Sequence, residues 1–146
     1  MQKTPAEMLV GSFKNPEFAE RACLIDAKSL RRLSYSDMDY ETSLAAGILE
    51  SFYVCPGDTV SLLLENGLHF FMPWLGAMRI GAVAHPINCL YTPEQIIYAL
   101  KLCETKILVT QERYVWDDRK NEPAALLRIL METFPAMPIL VTHDPS

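Results

Sequence analysis

The chain has 146 residues, half of them hydrophobic and 21% charged, which is the balance of one ordinary folded domain and excludes a largely disordered chain. The formal net charge is −5, and Lys and Arg are scattered with nothing denser than pairs such as Arg31-Arg32, which excludes a phosphate-tracking nucleic-acid surface. The longest apolar stretches, 60–64 and 70–75, fall far short of the roughly 20 residues that span a bilayer, and residues 1–13 hold no signal-peptide core, so a cytoplasmic protein with no membrane span is expected.

Thr4-Pro5-Ala6-Glu7 sets a capping Thr before a Pro and a Glu three residues on, which predicts a short helix to about Ser12. Segments 22–26 and 32–35 read as two short strands able to pair as a hairpin. Ser36 reads as the next cap, with Asp37 and Asp39 suited to the positive end of the helix dipole. Met38, Thr42, Ala45, Leu49 and Phe52 then recur at three- and four-residue spacings as a buried stripe, until Pro56-Gly57-Asp58 stops the helix.

Residues 59–64 form an almost unbroken apolar run, the pattern of a strand covered on both faces, and Glu65-Asn66-Gly67 turns the chain. A helix over 68–80 carries Leu68, Phe71, Leu75 and Met78 at helical spacing, Gly81 closes it as a left-handed cap, and 82–87 is the next strand. Thr92-Pro93-Glu94-Gln95 repeats the capping pattern and opens a helix to about Cys103, with Ile96, Ile97 and Leu100 inward. A strand at 106–110, a polar and partly looped stretch at 111–122, a helix at 124–134 and a strand at 138–142 complete the order.

These four apolar strands begin about 23, 24 and 32 residues apart with a helix between each pair. They therefore need crossover connections and are predicted parallel in a single three-layer α/β domain over 1–146. The pattern leaves the strand order open.

Nucleotide-binding α/β domains commonly place a Gly-rich turn after a strand, because glycine lets backbone amides approach phosphates. GxGxxG and GxxxxGKS are both absent, and Glu65-Asn66-Gly67 has one Gly beside an anion. Gly76 and Gly81 read as close packing and a helix cap. Cys23, Cys55, Cys89 and Cys103 lie 32, 34 and 14 residues apart, without CxxC or a His at ligand spacing, and read as reduced thiols.

His69, His85 and His143 fall on three different elements, and no motif ties a Ser, Cys or carboxylate to them. His85 reads as a satisfied buried or interfacial histidine, and His69, beside Asn66 at a helix start, is the next candidate for chemistry. Cys89 precedes a helix, a position that lowers a thiol's pKa, yet reads first as a small packed residue. Phe70, Phe71 and Trp74 are core candidates with an acyl-pocket alternative. Asp117-Asp118 and Glu50 have no metal-ligand partners at fixed spacing and read as solvated surface. No catalytic, cofactor-binding or metal residue is assigned.

The run Pro56-Gly57-Asp58-Thr59-Val60-Ser61-Leu62-Leu63-Leu64-Glu65-Asn66, then FFMPWLGAMRIG from Phe70 to Gly81, then Ala82-Val83-Ala84-His85-Pro86-Ile87-Asn88, resembles the adenylate-forming acyl-CoA synthetases. That superfamily includes the acid:CoA ligases, the firefly luciferases and the adenylation domains of peptide synthetases. The resemblance begins near Ala22, passes through Leu33-Ser34-Tyr35-Ser36-Asp37-Met38 and Thr92-Pro93-Glu94, and ends near Thr110, about ninety residues in register. Cys89 departs from it, standing where the family commonly has a second Pro after Asn.

The resemblance implies the leading subdomain of the synthetase N-terminal domain, from an enzyme that activates a carboxylic acid with ATP and Mg to an acyl-adenylate and passes the acyl group to a thiol such as CoA. It assigns no catalytic residue here: the family's phosphate loop, ribose-binding acid, hinge and catalytic Lys have no counterpart in the chain. The expectation is an N-terminal portion of such a ligase, inactive alone, binding no cofactor by itself, partnered by the rest of the ligase and self-associating through exposed apolar surface. A free-standing, non-enzymatic interaction or regulatory module on the same scaffold is the alternative.

Overall fold

Local capping decides where three of the described helices begin. In the structure, a computed structural model that describes residues 4–27, 29–117 and 122–142, α1 (Pro5–Phe13) starts at the capping box of Thr4 and Glu7. The hairpin of β1 (Ala22–Ile25) and β2 (Arg32–Ser34) is antiparallel, as expected. Helix α2 (Tyr35–Ser51) corrects the predicted cap: Ser34, not Ser36, caps it. Asp37 lies three residues after Ser34, so its carboxylate accepts from the Ser34 amide at 2.8 Å while Ser34 Oγ accepts from the Asp37 amide at 3.1 Å. Those bonds from Ser34 hold the Asp37 carboxyl below its usual range.

The buried face of α2 is Met38, Thr42, Ala46 and Leu49. Ala46 replaces Ala45 in the expected stripe, and Phe52 is 38% exposed. The helix stops at Ser51, before Pro56-Gly57-Asp58, and the chain turns through Tyr53 at φ 58°.

The sheet strands are β3 (Thr59–Leu63), β4 (Val83–Pro86), β5 (Thr105–Gln111) and, at the end of the described chain, β8 (Ile139–Thr142). They are all parallel, in the order β4-β3-β5-β8. Helices α3 (Leu68–Arg79) and α4 (Pro93–Leu102) connect the first three. The stretch read as partly loop holds α5 (Glu112–Val115) and a two-stranded antiparallel pair, β6 (Trp116–Asp117) with β7 (Glu122–Pro123), before α6 (Ala125–Thr133).

Alternation along the strands splits the core into two layers. Val60, Leu62, Leu64, Ile107 and Val109 face α2 and α3, where Leu49 and Ala77 meet them. Leu63 and Leu108 face α4 and α6, against Ile96, Leu100, Leu126 and Leu130. Each fully buried Leu here contributes about 1.5–3 kcal/mol. A third, smaller cluster of Phe13, Leu33, Met38 and Leu75 fixes α1 and the hairpin to the outer side of α2 and α3.

Two contacts lock α2 to α3. Arg79 Nη1 donates to Asp39 Oδ1 at 2.8 Å and to Thr42 Oγ1 at 3.0 Å, and Gly76 lies so close to α2 that a Cβ there would sit 2.8 Å from Ala45 Cβ and 3.0 Å from the Ala46 amide nitrogen. Gly81, at φ 74°, ends α3 in a Schellman motif, its amide bonding Met78 O and the Ala82 amide bonding Ala77 O. Both glycines do what the sequence suggested.

The two helix glycines in this layer should respond in opposite directions. A Cβ at Gly47 meets nothing within 4 Å, so Gly47→Ala should raise stability by about 0.5–1 kcal/mol through helix propensity. Gly76→Ala gains the same propensity but overpacks against backbone, at a cost of about 1–3 kcal/mol. Urea unfolding of the two variants should move the midpoint up for the first and down for the second.

Candidate functional site

Strand order sets where a ligand crevice would form. From β3 the chain enters α3 on one face; from β5, its neighbour, it passes through α5 to α6 on the opposite face. The two connections part at the carboxyl ends of adjacent strands, the topological switch point at which open α/β sheets bind ligands.

The polar groups at this point are already engaged with one another. Gln111, 1% exposed, accepts the Glu65 amide on Oε1 at 3.0 Å and places Nε2 2.9 Å from His69 Nε2. Because the Gln111 oxygen is taken by an N–H, its amide nitrogen faces His69 and donates, which assigns the imidazole a lone pair on Nε2 and its proton to Nδ1. Gly67 makes room for that ring: a Cβ at Gly67 would lie 2.8 Å from His69 Cε1. Glu65 Oε1 accepts from Arg113 Nη1 at 2.9 Å and from the Tyr114 hydroxyl at 3.3 Å. Burial, then the neighbouring Cys89 thiol and Glu65, push the Tyr114 phenol well above its usual range, so Tyr114 stays a neutral donor.

A second cluster lies on the α4 face, around the middle of β3 and the start of β5. Ser61 pairs with His85 across β3 and β4. Its hydroxyl, fully buried, lies 2.9 Å from His85 Nδ1 and 2.7 Å from Thr105 Oγ1. Cys103, the residue that caps the end of α4, puts Sγ 3.5 Å from His85 Nε2. Burial pushes the His85 pKa down. His85 and Cys103 open onto a groove of about 640 Å³ between β4 and α4.

The candidate histidines thus divide between two clusters: His69 at the switch point, His85 with Ser61 and Cys103, while His143 lies outside the described residues. Cys89 is half-buried against Ile87, Ile96 and their neighbours and touches Tyr114, the packed residue expected. Phe70 and Trp74 pack on the core with Phe71 against both rings, as core candidates should. Glu50 is exposed; Asp118 and the Asp117 side chain lie outside the described residues. Among the described residues no group of three or more His, Cys, Asp or Glu side chains is placed to hold a metal ion, and no helix is long and apolar enough to cross a membrane.

Sequence reasoning missed the grouping of Ser61, His85 and Cys103, which lie 24 and 18 residues apart. The available signal was two polar residues, Ser61 and His85, inside strands whose other interior residues are apolar.

The family model for AMP-binding enzymes matches residues 14–144. The chain belongs to this family. The match is longer than the 22–110 over which the motifs could be followed. Among relatives, a 4-coumarate–CoA ligase of Oryza sativa subsp. japonica is 38% identical over 96 residues, 66% of this chain and 18% of the relative. A crotonobetaine/carnitine–CoA ligase of Proteus mirabilis is 33% identical over 85 residues, 58% of this chain and 16% of the relative.

The chain therefore spans under a fifth of the length of those CoA ligases. Among solved structures, the anthranilate CoA ligase AuaEII with anthranoyl-AMP superposes with a TM-score of 0.77 at 20% identity, over 92% of this chain and 24% of that one. The N-terminal domain of FACL13 from Mycobacterium tuberculosis does so with a TM-score of 0.75 at 19% identity, over 97% and 34%. The fold is that of a part of the acyl-CoA ligase N-terminal domain, as the motifs implied.

His85 gives a test of the second cluster. Its folded pKa is depressed, so as pH falls through the ordinary imidazole value of roughly 6.5 the unfolded chain takes up the proton first, and stability is lost on the acid side. Urea midpoints measured at about pH 7.5 and about pH 5.5 should drop at the lower pH, and by less in His85→Gln, which has no proton to gain.

Proposed function

We propose that residues 14–144 are the scaffold share of an ATP-dependent acid:CoA ligase, the first α/β layer on which the rest of that enzyme builds its adenylate-forming site. The observation that carries this reading is the family match across nearly the whole chain, combined with coverage of only 16–18% of full CoA ligases. The parent reaction would use ATP and Mg to make an acyl-adenylate and CoA to receive the acyl group.

The residues present do not themselves fit ATP. The switch point offers a carboxylate, Glu65, where a phosphate site needs amides or cations, and its one nearby guanidinium, Arg113, is already paired with that carboxylate. Gln111, the buried polar side chain at that point, spends its oxygen and its nitrogen inside the cluster. Among the described residues no buried side-chain polar atom lacks a partner. No step of adenylate formation follows from these residues alone.

The direct test incubates the 146-residue chain with ATP, Mg and a panel of aromatic and aliphatic carboxylic acids and measures pyrophosphate. None is expected above the protein-free rate. Acid-dependent release would mean that the chain holds a nucleotide site of its own, and the scaffold reading would fall.

Self-association belongs to the same reading, because a subdomain built to be covered leaves apolar surface bare. On α2, Tyr40, Leu44 and Ile48 stand one helical turn apart and are 64%, 48% and 51% exposed. Light scattering across a concentration series should show a mass above the monomer, reduced when Leu44→Glu and Ile48→Glu are combined. A monomer throughout the series would refute self-association and leave the ligase reading standing.

A further inference from the structure

The cluster around His85 is a second polar centre of the fold, apart from the switch point. Four elements assemble it: Ser61 from β3, His85 from β4, Thr105 from the start of β5 and Cys103 from the end of α4. The arrangement has the three parts of an activated nucleophile: a thiol within reach of a base, and the base held by a third group. Cys103 Sγ is 3.5 Å from His85 Nε2, and the Ser61 hydroxyl is 2.9 Å from His85 Nδ1 on the far side of the ring. Ser61 cannot swing away, since it is fully buried and also bonded to Thr105 at 2.7 Å.

We propose that Cys103 is an acyl-accepting thiol, with His85 as its base and Ser61 as the residue that positions the imidazole, and that its donors are small thioesters with apolar or aromatic acyl groups. In this arrangement the His85 Nδ1–H donates to Ser61 Oγ and the Nε2 lone pair accepts the thiol proton. Burial favours the neutral imidazole that this role needs.

The donor class follows from the groove. Cys103 and His85 line it together with Tyr91, Tyr98 and Leu102, and these last three are 45%, 67% and 68% exposed. They offer rings and an isobutyl group beside the thiol. Glu94, also at its edge, disfavours an anionic acyl group.

The step balances without an oxidant. Cys103 Sγ attacks the thioester carbonyl carbon as its proton passes to His85 Nε2. The carbonyl re-forms as the carbon–sulfur bond to the donor breaks, and the departing thiolate takes the proton from Nε2. S-acyl Cys103 and a free thiol remain.

The other cysteines are internal standards. Cys55 is exposed, so simple accessibility favours it, while burial pushes the half-buried Cys23 thiol up and so slows its ionisation. The full chain is treated with S-phenyl thioacetate, and acetylation is followed by peptide mass mapping. Cys103 should acetylate at least roughly tenfold faster than Cys55, a threshold set below the roughly 10²–10⁴-fold that a positioned general base contributes. His85→Gln should bring Cys103 down to about the Cys55 rate and leave Cys55 unchanged.

Unfolding the wild-type chain in urea should erase the ratio as well, a measurement that stands whether or not the variant folds. Nitrogen NMR of the imidazole should find the His85 proton on Nδ1, and Ser61→Ala should both loosen that tautomer and slow Cys103. A native Cys103 no faster than Cys55, a ratio that survives in His85→Gln or in urea, or a proton resting on Nε2 would each overturn the proposal.

Discussion

Strand β3 has to be covered on both faces, and the rest of the molecule is arranged around that requirement. Val60, Leu62 and Leu63 are all fully buried although successive side chains point to opposite sides. One helical layer cannot satisfy such a strand. The chain therefore runs from β3 to β4 through α3 on one face and from β4 to β5 through α4 on the other, which places β3 between its two successors. The centre of the described sheet and its switch point are consequences of the same burial.

The α2–α3 layer holds its side of that strand through close approach and not through bulk. Gly76 lets the helices meet backbone to side chain, and the Arg79 guanidinium bonds Asp39 and the buried Thr42 hydroxyl. At the end of α3 the Schellman turn at Gly81 meets the turn at Pro56-Gly57-Asp58: the Gly57 amide bonds Gly81 O and the Val83 amide bonds Asp58 O. Those two bonds set the register in which β3 and β4 begin. The motif residues that carry the family likeness are therefore register and packing devices. This explains how a chain can be recognisably of an enzyme family through residues whose work is packing and register.

How much was legible in the sequence depends on the range of the interaction concerned. Capping boxes at Thr4 and Thr92 act over three residues and were read correctly. At α2 two serines compete, and the choice fell to Ser34 because Asp37 can reach back to its amide, while Asp39 is drawn away to Arg79 on another helix. Parallel strands followed from spacing, but not their order, since an apolar run looks the same at the centre and at the edge of a sheet. The polar clusters were the least legible part. Gln111 and His69 are 42 residues apart and Ser61 and Thr105 are 44 apart, and only the strand order brings either pair together.

The two clusters, one at the carboxyl end of β5 and one around the middle of β3, solve the problem of buried polarity differently. Gln111 at the switch point is sealed, with its oxygen and its nitrogen both bonded to neighbours fixed by β3 and α3. A side chain held so tightly is suited to shaping a floor and poorly suited to greeting a ligand, since any new bond must replace an old one at a net cost of about 1–3 kcal/mol for each buried group left unpaired. His85 is bonded just as fully, but one of its partners is a thiol on the wall of an open groove. Breaking a weak sulfur hydrogen bond costs less than breaking an amide one, and the thiol is reachable from solvent. Buried polarity in this scaffold thus becomes structural or reactive according to which partner faces water. On that criterion the two clusters of the described residues differ: the one around His85 turns its thiol partner towards an open groove, while Gln111 at the switch point keeps its bonds inside.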